Sequence, residues 1–215
     1  MCALDGARCA LVSLNLEADK FETFLVPAPV NCGVSLSHLQ KCIKTATPSD
    51  TTTILQPASA PNELHIHLKN AQNKTSTSFI LKLMDLDDEV IQVPSMDFEW
   101  STTLSSVYLQ RLCRDMSQLG ETLTLEARSR ALVFEISGDF ASQRTEVSTT
   151  EIGSEMAADE IIRESYPIKY ITMFCRASQI SNVCQINMRA GYPLVLSYQV
   201  AGLGVLRFVL ANKLE

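Results

Sequence analysis

Most of the chain reads as short strands, some by apolar and polar residues alternating with a period of two, the pattern of a strand with one face turned inward, and others by β-branched and aromatic content. In Glu63–Asn70, for example, Leu64, Ile66 and Leu68 alternate with His65, His67 and Lys69. Alternation, or β-branched and aromatic content, predicts strands over Cys9–Leu16, Phe21–Val26, Thr51–Leu55, Glu63–Asn70, Ser76–Met84 and Glu121–Ala127. The same signals predict strands over Ala131–Ser137, Arg144–Thr150, Val183–Arg189, Leu194–Val200 and Leu203–Leu210, and a strand opening the second half at Phe98. Three segments carry a helical period instead. Ser35–Ala46 puts Leu36, Leu39 and Ile43 on one face. Ser105–Leu119 aligns Leu109, Leu112, Met116 and Leu119, with Gly120 as a stop. Ile168–Ser178 follows Pro167 and groups Ile168, Ile171 and Cys175. Few helices against much sheet predict an α+β fold.

The order of elements holds a weak repeat. The first half reads two strands, helix, three strands. The second half reads strand, helix, strands, helix, three strands. As duplicates, they differ by a strand–helix–strand that the first half lacks. The expected division is residues 1–84, a connector over 85–97 and residues 98–215. The connector is acidic, contains Pro94 and has no capping pattern, so it is expected to stay extended.

Composition narrows the class. The chain has 215 residues, 46% hydrophobic and 20% charged, enough apolar residue to bury a core and too much for disorder. No apolar run approaches the ~20 residues of a membrane span. Met1-Cys2-Ala3-Leu4-Asp5 carries neither the basic nor the apolar region of a secretory signal. The cysteines are seven, an odd number with no CxxC pair, and free buried thiols in a reducing compartment are expected. No nucleophile–base pair, Gly-rich phosphate loop or zinc-ligand spacing points to an enzyme, a cofactor or a metal. His65 and His67 fit the solvent face of a strand.

The net charge of −6 hides a segregation. Asp85–Glu99 and Glu151–Glu164 hold 11 of the 24 acids, leaving 17 basic against 13 acidic residues elsewhere. All three helices carry cations on their polar faces: Lys41 and Lys44, Arg111 and Arg114, Lys169 and Arg176, with Asp115 as the interruption. A polyanion responds to such a local field more than to the total. No aromatic interleaves with the cations and no recognition-helix motif occurs, so the expected contact is with phosphates, without base readout.

Leu81-Lys-Leu-Met-Asp-Leu-Asp87, followed by Val93-Pro94, resembles the interdomain connecting loop of the proliferating cell nuclear antigen family, the eukaryotic sliding clamps. Arg111-Leu-Cys-Arg-Asp-Met-Ser-Gln-Leu-Gly120 resembles the first helix of that family's second domain. Gly33-Val-Ser-Leu36 running into Lys41-Cys-Ile-Lys44 is similar to the lysine-bearing second helix of its first domain. Tyr192-Pro-Leu-Val195 and Leu206-Arg-Phe-Val-Leu-Ala211 are similar to its last two strands. The resemblance covers essentially the whole chain.

The resemblance implies a homotrimeric ring around duplex DNA, with two similar domains per subunit, helices lining the channel and antiparallel sheets outside. It implies a nuclear, non-enzymatic processivity factor without cofactor. Its partners would be double-stranded DNA of any sequence, DNA polymerase and other proteins bearing a clamp-binding motif, and a clamp loader, with no membrane. The DNA-facing positions would be Lys41, Lys44, Arg111, Arg114, Lys169 and Arg176. A partner peptide would dock on Leu4, Arg8, Cys9, Leu11, Ile91, Val93, Pro94, Pro193, Val209, Ala211 and Asn212, an apolar groove with a polar rim. Subunits would join by Arg144–Thr150 pairing with Thr75–Leu83 of a neighbour. Some features depart from the family. The chain begins inside the family's first domain, past the strand–helix–strand that the repeat lacks, and a first domain without it is expected to expose apolar faces. The stretch between Gly138 and Lys169 is shorter than the family's. Val209 and Asn212 replace an aromatic and a proline, and Ser129 stands where the family carries a modifiable lysine. The alternative reading is a truncated clamp-like interaction protein that binds clamp partners or subunits without closing a ring.

Overall fold

The computed structural model describes residues 1–85, 97–149 and 160–213. In chain order the elements are β1 (Cys2–Leu4), β2 (Ala10–Leu16), α1 (Leu36–Ile43), β3 (Asp50–Leu55), β4 (Glu63–Asn70), β5 (Thr75–Lys82), β6 (Trp100–Ser105) and α2 (Ser106–Met116). They continue with β7 (Thr122–Arg128), β8 (Ala131–Ser137), β9 (Ser142–Ser148), β10 (Ile162–Pro167), α3 (Ile168–Phe174), β11 (Val183–Met188), β12 (Leu194–Val200) and β13 (Gly204–Leu210). Short 3-10 turns lie at Ala18–Lys20 and Cys175–Gln179. The described residues form three antiparallel sheets, ordered β1-β2-β13-β12-β11-β6, β10-β7-β8-β9 and β3-β4-β5. Antiparallel sheets with few helices are the α+β architecture read from the pattern.

The chain falls into two compact units, one of Met1–Phe24 with Ile91–Glu215, the other of Leu25–Val90. The larger unit contains two strand–helix–three-strand repeats, β6-α2-β7-β8-β9 and β10-α3-β11-β12-β13. Their leading strands are exchanged: β6 pairs with β11, and β10 pairs with β7. Helix α2 starts at Ser105, whose hydroxyl accepts from the Tyr108 N–H at 3.5 Å, a long N-terminal cap. It buries Leu109, Leu112, Cys113 and Met116. Helix α3 and its 3-10 extension bury Ile168, Ile171, Phe174, Cys175 and Ala177. These faces share one core with Trp100, Leu123, Leu125, Ile186, Leu196 and Tyr198. Trp100 Nε1–H donates to Arg128 O at 2.9 Å, so its burial leaves no orphan donor.

The sequence division assigns residues 1–16 to the first domain, yet their strands hydrogen-bond to the end of the chain. β2 lies against β13 from Ala10↔Leu210 to Leu16↔Gly204. Gly204 permits this: a Cβ there would stand 2.0 Å from Asn15 O.

The smaller unit is the sheet β3-β4-β5 with α1 packed near β5. Its buried large apolar side chains are Ile66, Leu68 and Leu81. By contrast Leu25, Val26, Val30, Leu36, Ile43 and Ile54 are 39–85% exposed. The alternation in β4 is as expected, with Ile66 and Leu68 inward and His65 and His67 half-buried on the other face. His65 Nε2 meets Glu63 Oε2 at 3.0 Å and His67 Nδ1 meets Ser78 Oγ at 2.8 Å.

Several expectations need correction. Phe21–Val26 is not a strand, and Phe21, Phe24, Leu25 and Val26 are exposed. β propensity makes a strand only where a neighbouring edge accepts its hydrogen bonds, and none is paired there. Helix α1 is shorter than Ser35–Ala46 and fully buries no residue: on its apolar face Leu36 and Ile43 are exposed and Leu39 is half-buried. The expected helix 168–178 is α-helical only to Phe174. Of the seven unpaired cysteines only Cys113, Cys175 and Cys184 are buried, while Cys2 is exposed. Most of both acidic segments, with Ile91, Val93 and Pro94, lies outside the described residues.

Candidate functional site

Two surfaces of the larger unit gather the expected residues. The first is the outer side of the packed helices. α2 and the α3 extension lie against one another, linked by Ser178 Oγ and Gln110 Oε1 at 3.1 Å. Because their apolar faces fill the core, their cations point to solvent: Arg111, Arg114, Lys169 and Arg176 are all exposed. Contrary to the expectation that no aromatic accompanies the cations, Arg111 leans over the Tyr108 ring at 5.8 Å and Lys169 over Tyr170 at 5.1 Å, each on its own helix. Arg114 Nε reaches Asp115 Oδ1 at 3.7 Å, but both side chains are more than half exposed and the pair is screened. The change to 3-10 geometry after Phe174 breaks the two-turn phase expected for Lys169 and Arg176, yet both remain on the outside. Lys41 and Lys44 are exposed at the end of α1 in the other unit.

The second surface is the row of strands β1, β2 and β13. Leu4 pairs with Leu11, and Leu11 with Val209. Side chains at paired positions share a sheet face, so these three form an apolar strip from exposed Leu4 to half-buried Val209. Beyond it the Ala211 N–H donates to Cys9 O at 2.8 Å, setting Ala211 beside Cys9. Asn212 Nδ2 donates to Glu164 Oε2 at 3.0 Å, and the other Glu164 oxygen accepts from the Gly191 N–H at 2.7 Å. Glu164 therefore holds the segment after β13 near the β11–β12 turn that carries Pro193. Arg8 is exposed in the β1–β2 turn at φ 56°.

Asp5 organises that turn. Its Oδ1 accepts from the backbone N–H groups of Cys9 and Ala10, each at 2.8 Å. Its Oδ2 accepts from Tyr170 O–H at 2.8 Å. These bonds, led by that of Ala10 and followed by that of Tyr170, hold its carboxyl well below the usual range, at about 2. Cys9 first, and then the same carboxylate, keep the Tyr170 phenol protonated well above its ordinary range. Asp5 thereby ties the β1–β2 turn to α3, the helix that carries Lys169. Asp5, Glu164 and Tyr170 were not among the residues singled out from sequence. Asp5-Gly6 is a turn signal, whereas nothing near Glu164 announces its role.

A cavity of about 570 Å³ lies between the end of α2 and the start of α3, with Lys169, Thr172 and Lys213 on its wall. Among the described residues no group of three or more His, Cys, Asp or Glu is placed to hold a metal ion. No described helix is long and apolar enough to cross a membrane.

Antiparallel sheets backed by paired helices with cationic outer faces define a class of protein built from repeated strand–helix units. The sequence model of the N-terminal domain of proliferating cell nuclear antigen matches residues 1–90, and that of its C-terminal domain matches residues 92–213. The chain is 30% identical over 214 residues to a probable DNA polymerase sliding clamp 1 of Paramecium bursaria Chlorella virus 1, covering 97% of this chain and 82% of that protein. It is 30% identical over 220 residues to the proliferating cell nuclear antigen of Dictyostelium discoideum, covering 99% and 85%. It is 29% identical over 218 residues to that of Chaetomium thermophilum, covering 99% and 84%. The chain belongs to the proliferating cell nuclear antigen family of DNA sliding clamps.

Proposed function

We propose that this chain is a processivity factor that holds partner proteins on duplex DNA without catalysing a reaction itself. The observation that carries the reading is the α2–α3 pair, whose apolar faces fill the core while Arg111, Arg114, Lys169 and Arg176 face outward. Such a surface attracts phosphates through counterion release and is blind to sequence. Lys41 and Lys44 serve the same role from the first domain. Residues 1–84 and 98–215 act as two clamp domains joined by the connector 85–97, with β2 lent to the sheet of the second. The partner peptide lies on Leu4, Arg8, Cys9, Leu11, Pro193, Val209, Ala211 and Asn212, closed by Ile91, Val93 and Pro94 of the connector. DNA polymerase, other clamp-binding-motif proteins and a clamp loader are its partners, in the nucleus.

The ring is a homotrimer. In support, β5 and β9 each end their sheet, so each offers a strand edge to a neighbouring subunit. Retention on circular against linearised DNA across a salt series tests the reading. A closed ring stays on the circle and slides off the linear form; equal retention on both overturns it. The second reading, an interaction protein that closes no ring, is favoured by the bare apolar face of the smaller unit. Native mass spectrometry separates the two by the presence or absence of a trimer.

A further inference from the structure

The cavity of about 570 Å³ between the end of α2 and the start of α3 has no part in the function proposed above. Gly120, Pro167 and Ile168 make part of its wall apolar. The polar groups on the wall are mostly donors. The Lys213 ammonium donates to Thr122 Oγ1 at 3.2 Å, so the Thr122 O–H keeps its own hydrogen to donate. Thr172, in α3, carries a hydroxyl that is buried and has no hydrogen-bond partner among the described residues. The hydroxyls of Ser106, Thr149, Tyr166 and Tyr198 are also buried without one, but none of those residues lines the cavity. Lys169 adds a second ammonium. Its contact with the Tyr170 ring, at 5.1 Å, involves an exposed charge and is weak enough for an anion to displace. Ser117 is already committed, its O–H donating to Arg114 O at 2.7 Å. Glu121 is the one carboxylate on the wall and is exposed, so two lysines against one glutamate leave a charge of +1.

Two ammonium groups and two hydroxyls able to donate call for a ligand that only accepts. A buried hydroxyl without a partner carries the penalty of its lost hydration, and an acceptor entering the cavity removes it. Phosphate has the right shape. Its oxygens point in tetrahedral directions, so separate donors can each meet one. A carboxylate presents two oxygens in one plane, the match for an arginine fork, and no arginine lines the cavity.

We propose that this cavity is a phosphate site, held by Lys169, Lys213 and the hydroxyls of Thr122 and Thr172. Lys213 is well placed for it: its N–H donates to Ser165 O at 2.7 Å, which fixes the backbone from which its side chain reaches the wall. The volume admits a phosphate with the sugars that flank it in a nucleic acid. Lys169 belongs both to the wall and to the cationic outer side of the helices, so the site continues that surface. The backbone of a duplex lying on α2 and α3 is the nearer source of the phosphate, and the free ion is the other. The backbone as source rests on the proposed DNA-facing role of those helices; the site itself does not.

The test follows the amide resonances of the 215-residue chain during titration with inorganic phosphate, against sodium chloride at equal ionic strength. The expected result is saturable movement of the Gly120, Thr122 and Thr172 amides with phosphate and none with chloride. Lys213→Gln should weaken phosphate by about fivefold or more and Thr172→Val by about threefold or more, while Lys213→Arg stays close to wild type. Thr172→Val keeps shape and charge, so its loss isolates the hydroxyl. Lys20→Gln removes the same charge away from the cavity and should change nothing. A titration with a short duplex over a salt series identifies the source. Where the backbone enters, the duplex competes with phosphate for the same amides, and Lys213→Gln flattens the slope of log K against log salt by about 0.9. Where the free ion is the ligand, phosphate binds equally beside the duplex and the slope stays; either result upholds the site. Three outcomes overturn it: amides that move alike with chloride, Lys213→Gln and Thr172→Val both binding phosphate as the wild type does, or a polyglutamate peptide taking the cavity in preference to phosphate. If Arg111→Ala with Arg114→Ala lowers the duplex slope while phosphate leaves the three amides unmoved, the cavity fails alone. If phosphate saturates them on a chain that binds no duplex, the DNA-facing role of the helices fails alone.

Discussion

At the scale of single residues, the electrostatics concentrate on two carboxylates. Asp5 accepts from the Ala10 and Cys9 amides and the Tyr170 hydroxyl, which lowers its folded pKa to about 2, against ~3.9 in an unfolded chain. A depressed carboxyl contributes stability that is fully present above the unfolded value and lost as pH falls through the folded one. Acid unfolding of the wild type should therefore steepen between about pH 4 and 2. Asp5→Asn should flatten that part of the curve, and identical acid profiles would remove Asp5 from the account. Glu126 is the second. Its side chain is 9% exposed, and burial alone would raise its pKa. Hydrogen bonds from Arg163, at 2.6 Å, and from Arg128 outweigh burial and hold it below the usual carboxylate range. Glu126→Gln should cost about 1–3 kcal/mol in urea unfolding, the loss of charged hydrogen bonds in a buried setting. Arg144→Ala should cost far less, since Arg144 is 45% exposed and 3.9 Å from Glu126.

At the scale of elements, the docking of β2 on β13 decides whether the proposed peptide groove can form. Leu11 and Val209 face the same side only in this register, and a slip of one residue would turn one of them away. Gly204 sits where the β2 backbone leaves no room for a Cβ. Gly204→Ala would force Cβ against Asn15 backbone atoms, which cannot yield as a flexible side chain would. The expected loss is about 1–3 kcal/mol of stability, with a weaker grip on any clamp-binding peptide by calorimetry. Unchanged peptide affinity would separate the groove from β2. Helix α2 shows the opposite dependence. Its anchors Leu109 and Met116 are 0–1% exposed, and either changed to Ala should cost about 2–5 kcal/mol.

At the scale of the whole molecule, the proposed role of the cations is read in the salt dependence of DNA binding. Each phosphate neutralised on duplex DNA contributes about −0.9 to the slope of log K against log salt. Arg111→Ala with Arg114→Ala should flatten that slope by up to about 2 for each copy engaged. The loss should be the same for every duplex sequence, because phosphates carry no sequence information. Fluorescence anisotropy on two unrelated duplexes over a salt series measures both. A loss that differs between the duplexes would mean that these residues read bases.

Local signals determined much of this protein. Alternation placed Glu63–Asn70, and β-branched and aromatic content placed Ala131–Ser137 and Leu194–Val200, as strands with the bounds they have: burial on one sheet face is written directly in a period of two, whereas the other two strands are buried on both faces over most of their length and show an apolar run instead. Helical periodicity identified α1, α2 and α3 and the cations on their polar faces, since a core-facing stripe leaves the remaining positions to solvent. The connector and helix motifs led to the family. What the chain's neighbours contribute was not legible. Phe21–Val26 has a strand's composition and is not one, since a strand also needs an edge to pair with. The join of β2 to β13 links positions nearly 200 residues apart, and no local pattern encodes which edge meets which. The parts of Asp5 and Glu164 beside the proposed groove emerged only when distant groups, the Tyr170 hydroxyl for Asp5 and the Gly191 and Asn212 donors for Glu164, came within hydrogen-bond reach of their oxygens. The apolar stripe of α1 reads the same as that of α3. The strand–helix–strand absent from the first half already pointed to apolar faces left open there, but only the tertiary structure decides which residues bear them, Leu36 and Ile43 on α1, because burial depends on what stands opposite each side chain.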